Sequence, residues 1–237
     1  VAVGSNIFSD QSAEPWHTGF TENVVLGNNQ ILWGSYTLSN NKWNIAIGKE
    51  GLKPADGLSS PLQYNIAVGF QAMRAGVGTD NISIGTKNNN SLIGSTLAKD
   101  GENNIAIGQQ NQFYQGSDLE HNISIGYQNN YKLFDEGQKN VSIGYQNMYS
   151  AQTPTENVAI GSKNLYSANT ATYNVALGYE SLYEGNGASK NIVAGYRAAQ
   201  QGTGMTHCIV LGVDAAEYQS DYPWPNNTHK LQAKIPM

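Results

Sequence analysis

Asn140-Val141-Ser142-Ile143-Gly144-Tyr145-Gln146-Asn147-Met148-Tyr149 is answered seventeen residues later by Asn157-Val158-Ala159-Ile160-Gly161-Ser162-Lys163-Asn164-Leu165-Tyr166. Asn174-Val175-Ala176-Leu177-Gly178-Tyr179-Glu180-Ser181-Leu182-Tyr183 repeats the pattern once more. The pentad that opens each copy, N-[IV]-[AS]-[IVL]-G, also runs from Asn44 to Gly48, Asn65 to Gly69, Asn81 to Gly85, Asn104 to Gly108, Asn122 to Gly126 and, with Val and Ala in the middle, Asn191 to Gly195. Asn23 to Gly27 is an early copy, and Cys208 to Gly212 is a late one in which Cys replaces Asn. Val1-Ala-Val-Gly4 reads as the end of a further copy, so the chain is expected to be a piece of a longer protein. Between motif glycines the spacing is 16 to 23 residues in the first half and 17 or 18 from Gly108 onward.

Seventeen residues are too few for a helix-pair repeat, but they suit one coil of a solenoid built from short strands and turns. β-branched Ile and Val favour strand, and the glycine ends it where a Cβ would obstruct a sharp corner. Stacked coils pair each strand with its copies above and below, so the fold class expected is all-β: a parallel β-solenoid of about twelve coils over residues 1–217. The motif asparagines are expected to stack as a ladder or to tolerate a left-handed turn.

Within a pentad the two large aliphatics lie two apart and share a face, while the small residue between them points the other way. The reading places the aliphatics in the coil interior. The small residues Ala46, Ala67, Ser83, Ala106, Ser124, Ser142, Ala159 and Ala176 then lie outside, against copies of themselves in sister subunits. Five residues after the glycine, Phe113, Tyr131, Tyr149, Tyr166 and Tyr183 form one aromatic column. One residue after it, Tyr127, Tyr145, Tyr179 and Tyr196 form another. Both are read as packing spines or stacking surfaces.

Composition narrows the function. The net charge of -5 argues against a nucleic-acid partner, which needs a basic stripe to displace counterions. Charged residues are only 13% of the chain, while Asn contributes 28 residues and Gly 26. No apolar run of the length needed to span a membrane occurs, so membrane insertion is not expected. A single cysteine, Cys208, leaves no intrachain disulfide. His17, His121, His207 and His229 lack metal-ligand spacing, and no phosphate-loop, dinucleotide or nucleophile-elbow motif occurs. No metal and no cofactor is expected. The acids Asp118 with Glu120, Asp135 with Glu136, and Glu156 read as polar connectors rather than a hydrolytic pair, so the chain is not read as an enzyme.

On these residues the pentad resembles the head repeat of trimeric autotransporter adhesins of the Yersinia-adhesin type. The longer unit, Asn140 to Tyr149 and Asn174 to Tyr183, is similar to repeats of phage tail-fibre and tailspike proteins. The resemblance covers residues 1–217 and implies a left-handed parallel β-roll assembled as a homotrimer. It implies a structural and receptor-binding part of a tail fibre on the virion, mediating host-cell attachment. In such fibres the array often precedes a self-cleaving intramolecular chaperone. A bacterial-surface adhesin head and a polysaccharide-degrading tailspike are the alternatives. Autotransporter coils are shorter than these, and no heptad stalk or membrane-anchor strands are read within this piece.

Receptor-binding candidates are aromatics on irregular loops, because Trp and Tyr join a flat apolar face to a polar edge. They are Trp16, His17, Phe20, Trp33, Tyr36 and Trp43 near the start, and Tyr222 and Trp224 in the tail. The partner class expected is a host cell-surface glycan or an outer-membrane receptor. Residues 218–237 leave the pentad pattern, and Pro223-Trp224-Pro225 cannot continue a central strand, so this tail is read as a cap.

Overall fold

The structure, a computed structural model, describes residues 1–4, 8–9, 22–28, 31–32, 42–53, 62–74, 78–88, 101–112, 114–117, 119–135, 137–216 and 230–234. Among them there is no helix. Two compact units divide the chain, Val1–His121 and Asn122–Met237.

In the first unit the pentads supply a parallel sheet of strands β1 (Ala2–Val3), β2 (Val24–Asn28), β3 (Ile45–Lys49), β4 (Ile66–Val68), β5 (Ile82–Thr86) and β6 (Ile105–Gln109). Each lies beside the next in pentad register: Val25 pairs with Ala46, Ala46 with Ala67, Ser83 with Ala106 and Gly85 with Gly108. Short two-residue strands lie outside this sheet, such as Leu52–Lys53 against Met73–Arg74 and Leu62–Gln63 against Gly78–Thr79.

In the second unit the pentads supply β7 (Ile123–Tyr127), β8 (Val141–Tyr145), β9 (Val158–Ser162), β10 (Val175–Tyr179), β11 (Ile192–Tyr196) and β12 (Cys208–Gly212). Register is kept without slip: Ser142 pairs with Ala159, Ala159 with Ala176, and Ala176 with Val193. The arm after each corner is also tied from coil to coil, by Met148 N–H to Asn164 O at 3.0 Å and Ser150 N–H to Tyr166 O at 2.8 Å. A third line of contact is a column of single bridges, Gln138 to Thr155 to Thr172 to Ser189 to Thr206. Part of the tail re-enters the pattern: β13 (Lys230–Lys234) pairs in parallel with β12, Cys208 beside Lys230.

The parallel β-solenoid is thus present, but it amounts to about eight turns, not the twelve expected. Pentads of the first half do supply sheet strands, while much of the chain between them lies outside the described residues.

The expected facing is reversed. Ala46, Ala67, Ser83, Ala106, Ser124, Ser142, Ala159 and Ala176 are all buried inside the coil, and the flanking aliphatics point outward. The cause is the narrowness of the coil. Ser142 Oγ donates to the Asn147 carbonyl at 3.2 Å and Ser83 Oγ to the Ala72 carbonyl at 2.6 Å, so the opposite arm lies directly against the strand. Only Ala, Ser or, in the early copy at Val25 and the late ones at Val193 and Val210, Val stands there. The room that remains is filled by Leu52 and Met73 in the first unit and by Met148, Leu165, Leu182 and Met205 in the second. Small residues therefore mark the coil interior, not a subunit contact.

The motif asparagines choose the ladder over the left-handed turn. Asn157 Oδ1 accepts both the backbone N–H and the Nδ2 of Asn174, each at 3.0 Å, while Asn157 Nδ2 donates to Asn140 Oδ1 at 3.2 Å and to the Ala171 carbonyl at 2.8 Å. Asn44, Asn65, Asn81 and Asn104 form the same ladder in the first unit, and Asn191 passes it to the backbone N–H of Cys208. The left-handed conformation falls one residue earlier, at Glu156 (φ 57), Tyr173 (φ 58) and their equivalents.

A second ladder, three residues after the glycine, was not read from the sequence. Asn164 N–H donates to Asn147 Oδ1 at 2.9 Å, and Asn164 Nδ2 bridges the Ile160 and Gly178 carbonyls, 2.9 Å from each. Gly161 explains the shape of this corner: it sits at φ +126, and a Cβ there would run into the Gly178 carbonyl one coil on.

Candidate functional site

Of the aromatic candidates, Trp16, His17, Phe20, Trp33, Tyr36, Tyr222 and Trp224 lie outside the described residues. Trp43 is described. It occupies the left-handed corner just before a motif asparagine, at φ 56, and is 43% exposed. Its indole stacks on Tyr64 of the next coil, with ring centroids 4.8 Å apart and planes 13° from parallel. Tyr64 holds the same corner at φ 56 and is 49% exposed. The Lys42 ammonium lies over the Trp43 ring, 5.8 Å from its centroid. Further along the first unit the corner carries Asp80 and Asn103, both exposed.

Tyr64 was missed in the sequence. Its signal was available, since Trp43 and Tyr64 both directly precede a motif asparagine. That position varies more between coils than the two tyrosine positions do, so its aromatic pair stands out less.

The corresponding corner of the second unit is different in kind. It holds Lys139 and Glu156, 3.6 Å apart, and then Tyr173, Lys190 and His207. Lys139, Tyr173 and Lys190 are exposed, while Glu156 and His207 are half-buried.

Both tyrosine columns form in the second unit. Tyr131, Tyr149, Tyr166 and Tyr183 stack at 4.8, 5.0 and 4.9 Å. Tyr127 stacks on Tyr145 and Tyr179 on Tyr196, at 5.4 and 5.2 Å, with Ser162 taking the rung between the two pairs. Burial pushes the Tyr166 and Tyr183 phenols above their ordinary value, with neighbouring groups adding to it. The Glu180 carboxylate beside Tyr179 does the same there. Glu180 also receives Gln200 Nε2 at 2.7 Å and faces Arg197 Nε at 3.3 Å, and Arg197 lies over the Tyr196 ring.

The outward faces of the strands carry paired aliphatic columns. Ile47 and Ile84 in the first unit, and Ile160, Ile192, Ile209 and Leu211 in the second, are exposed, Ile192 to 46%. Within each unit the strand register lines these residues up with the partly exposed aliphatics of the neighbouring strands.

Of the acids weighed as a hydrolytic pair, Glu156 faces Lys139, and Glu120 lies 3.8 Å from His121 Nδ1. Among the described residues no group of three or more His, Cys, Asp or Glu could hold a metal ion, and no helix is long and apolar enough to cross a membrane. No protein-family model matches the chain, and neither a curated protein nor a solved structure does.

Proposed function

We propose that the chain is a structural and receptor-binding part of a phage tail fibre, assembled as a homotrimer of left-handed β-rolls and serving host-cell attachment. The observation that carries this reading is the stripe of outward Ile, Val and Leu repeated on successive strands. A monomer would leave that stripe in water, where continuous apolar surface marks an interaction site. Because every strand presents the same stripe, the matching partner surface is another copy of this chain. Closed symmetry then limits the assembly. The number three comes from the resemblance of the pentads to trimeric fibre and adhesin heads.

Low charge suits a neutral polar target such as cell-surface polysaccharide. Three copies per fibre, and several fibres per particle, turn weak contacts into firm attachment by raising effective concentration. Light scattering of the purified chain tests the assembly. Three times the chain mass of 25.6 kDa is the expected result, and a single-chain mass at micromolar concentration overturns it. Adsorption of the labelled protein to candidate host cells tests the attachment.

A further inference from the structure

Resting on the attachment reading, we propose that the Trp43–Tyr64 corner is a binding step for a neutral pyranose ring, with Tyr64 as the stacking face and Asp80 and Asn103 as partners for its hydroxyls.

The repeat supplies its own comparison. All four residues stand directly before a motif asparagine, at φ 56, 56, 59 and 57. They follow one another coil by coil: Tyr64 N–H bonds the Lys42 carbonyl at 3.2 Å, Asp80 N–H the Gln63 carbonyl at 3.1 Å, and Asn103 N–H the Thr79 carbonyl at 3.2 Å. The corner demands nothing aromatic, since elsewhere it accepts Glu22, Lys139, Glu156 and Lys190 as well as His121, Tyr173 and His207. A bulky residue in the left-handed region is unfavourable in itself. Yet two successive coils place Trp and Tyr there, stacked and nearly half exposed.

The stack has two ends that differ. At the Trp43 end the Lys42 ammonium lies over the indole. At the Tyr64 end the column continues into Asp80, whose side chain is far shorter than a phenol ring. The outer part of the Tyr64 face is therefore a step with a carboxylate at its foot. A sugar ring resting on that step sets its C–H face against the π surface, as other flat amphipathic groups do. Its rim hydroxyls then meet the Asp80 carboxylate and the Asn103 amide, which together offer acceptors and donors. The carboxylate repels an acidic sugar, which sets the class as neutral.

The test uses the full chain and saturation-transfer NMR. The probes are the methyl α-pyranosides of mannose, glucose and galactose, with N-acetylneuraminic acid as the anionic comparison. At least one neutral pyranoside is expected to receive transfer through its ring C–H protons. Tyr64→Ala is expected to weaken it about tenfold and Tyr64→Phe to change it less than about twofold. Asp80→Ala weakens it, and Tyr173→Ala, at the same corner of the second unit, leaves it unchanged. Far-ultraviolet circular dichroism confirms that each variant keeps the strand signal. Transfer to none of the three neutral probes, equal binding by Tyr64→Ala, or preference for the acidic sugar each overturns the proposal. Attachment fails separately: a chain that binds pyranosides but adsorbs to no host cell keeps this site and loses the attachment reading. Undiminished adsorption by Tyr64→Ala and Asp80→Ala, with no pyranoside binding, does the reverse.

Discussion

Asn157 shows how much one side chain carries. Its amide oxygen takes two donors from Asn174, and its amide nitrogen serves Asn140 and Ala171. All of this is buried, so truncation leaves groups that water cannot reach. Asn157→Ala is expected to cost about 2–4 kcal/mol, at roughly 1–3 kcal/mol for each buried group left unsatisfied. Urea unfolding measures it, and a change under about 0.5 kcal/mol would deny the ladder a stabilising role. The tyrosines give a second test. Tyr166 and Tyr183 are raised from the ordinary 10.0, chiefly by burial, so the folded chain holds their protons more tightly than the unfolded one. Their contribution is complete below pH 10.0 and is lost as pH rises through the folded-state values. Stability should therefore fall on the alkaline side. A near-ultraviolet phenolate titration should show a late-ionising group of tyrosines, which replacing Tyr166, Tyr179 and Tyr183 by Phe removes.

At the scale of the strand and its coil, the inward position has no spare volume. Ala159 is fully buried, so Ala159→Leu overfills the coil and is expected to destabilise by about 2–3 kcal/mol. Had the small residues faced outward, as first expected, the same change would cost almost nothing, so the urea midpoint discriminates the two facings. The outward tyrosine column offers the opposite case. Ser162 stands in register between Tyr145 and Tyr179 where a ring is missing. Ser162→Tyr should complete the stack and raise stability by about 0.5–1 kcal/mol; a lowered midpoint would mean that the column is not stabilising. These elements also show what was legible beforehand. The seventeen-residue spacing and the alternation in Val158-Ala159-Ile160 gave the strands, their parallel pairing and their register. Alternation says which residues share a face, not which face is inside. That depends on the distance to the opposite arm, set by Asn147 and Leu165, and no pattern within the pentad contains it. The second ladder at Asn129, Asn147 and Asn164 was available in the spacing. The sugar step was half legible: Trp43 stood out, but Tyr64 and Asp80 become its neighbours only once the coils are stacked.

For the whole molecule, the outward stripe makes assembly and folding separable. Ile160→Asp with Ile192→Asp places charges on two exposed rungs of the second unit while leaving the interior untouched. The double variant should keep its strand signal in circular dichroism but fall from three chain masses to one 25.6 kDa chain in light scattering. An unchanged assembled mass would move the subunit contact to another face. Loss of the strand signal would mean that the coils form only within the assembly.

One feature of the ladders reaches beyond stability. Residues 157–173 hold a full set of contacts: a strand, two amide rungs, a buried leucine and a ring, each addressed only to the copy before and the copy after. A chain so made has interchangeable storeys. Unequal recombination between near-identical stretches can add or delete one while both seams still meet familiar neighbours, so the length of such a protein is free to drift in whole steps of about 4.8 Å.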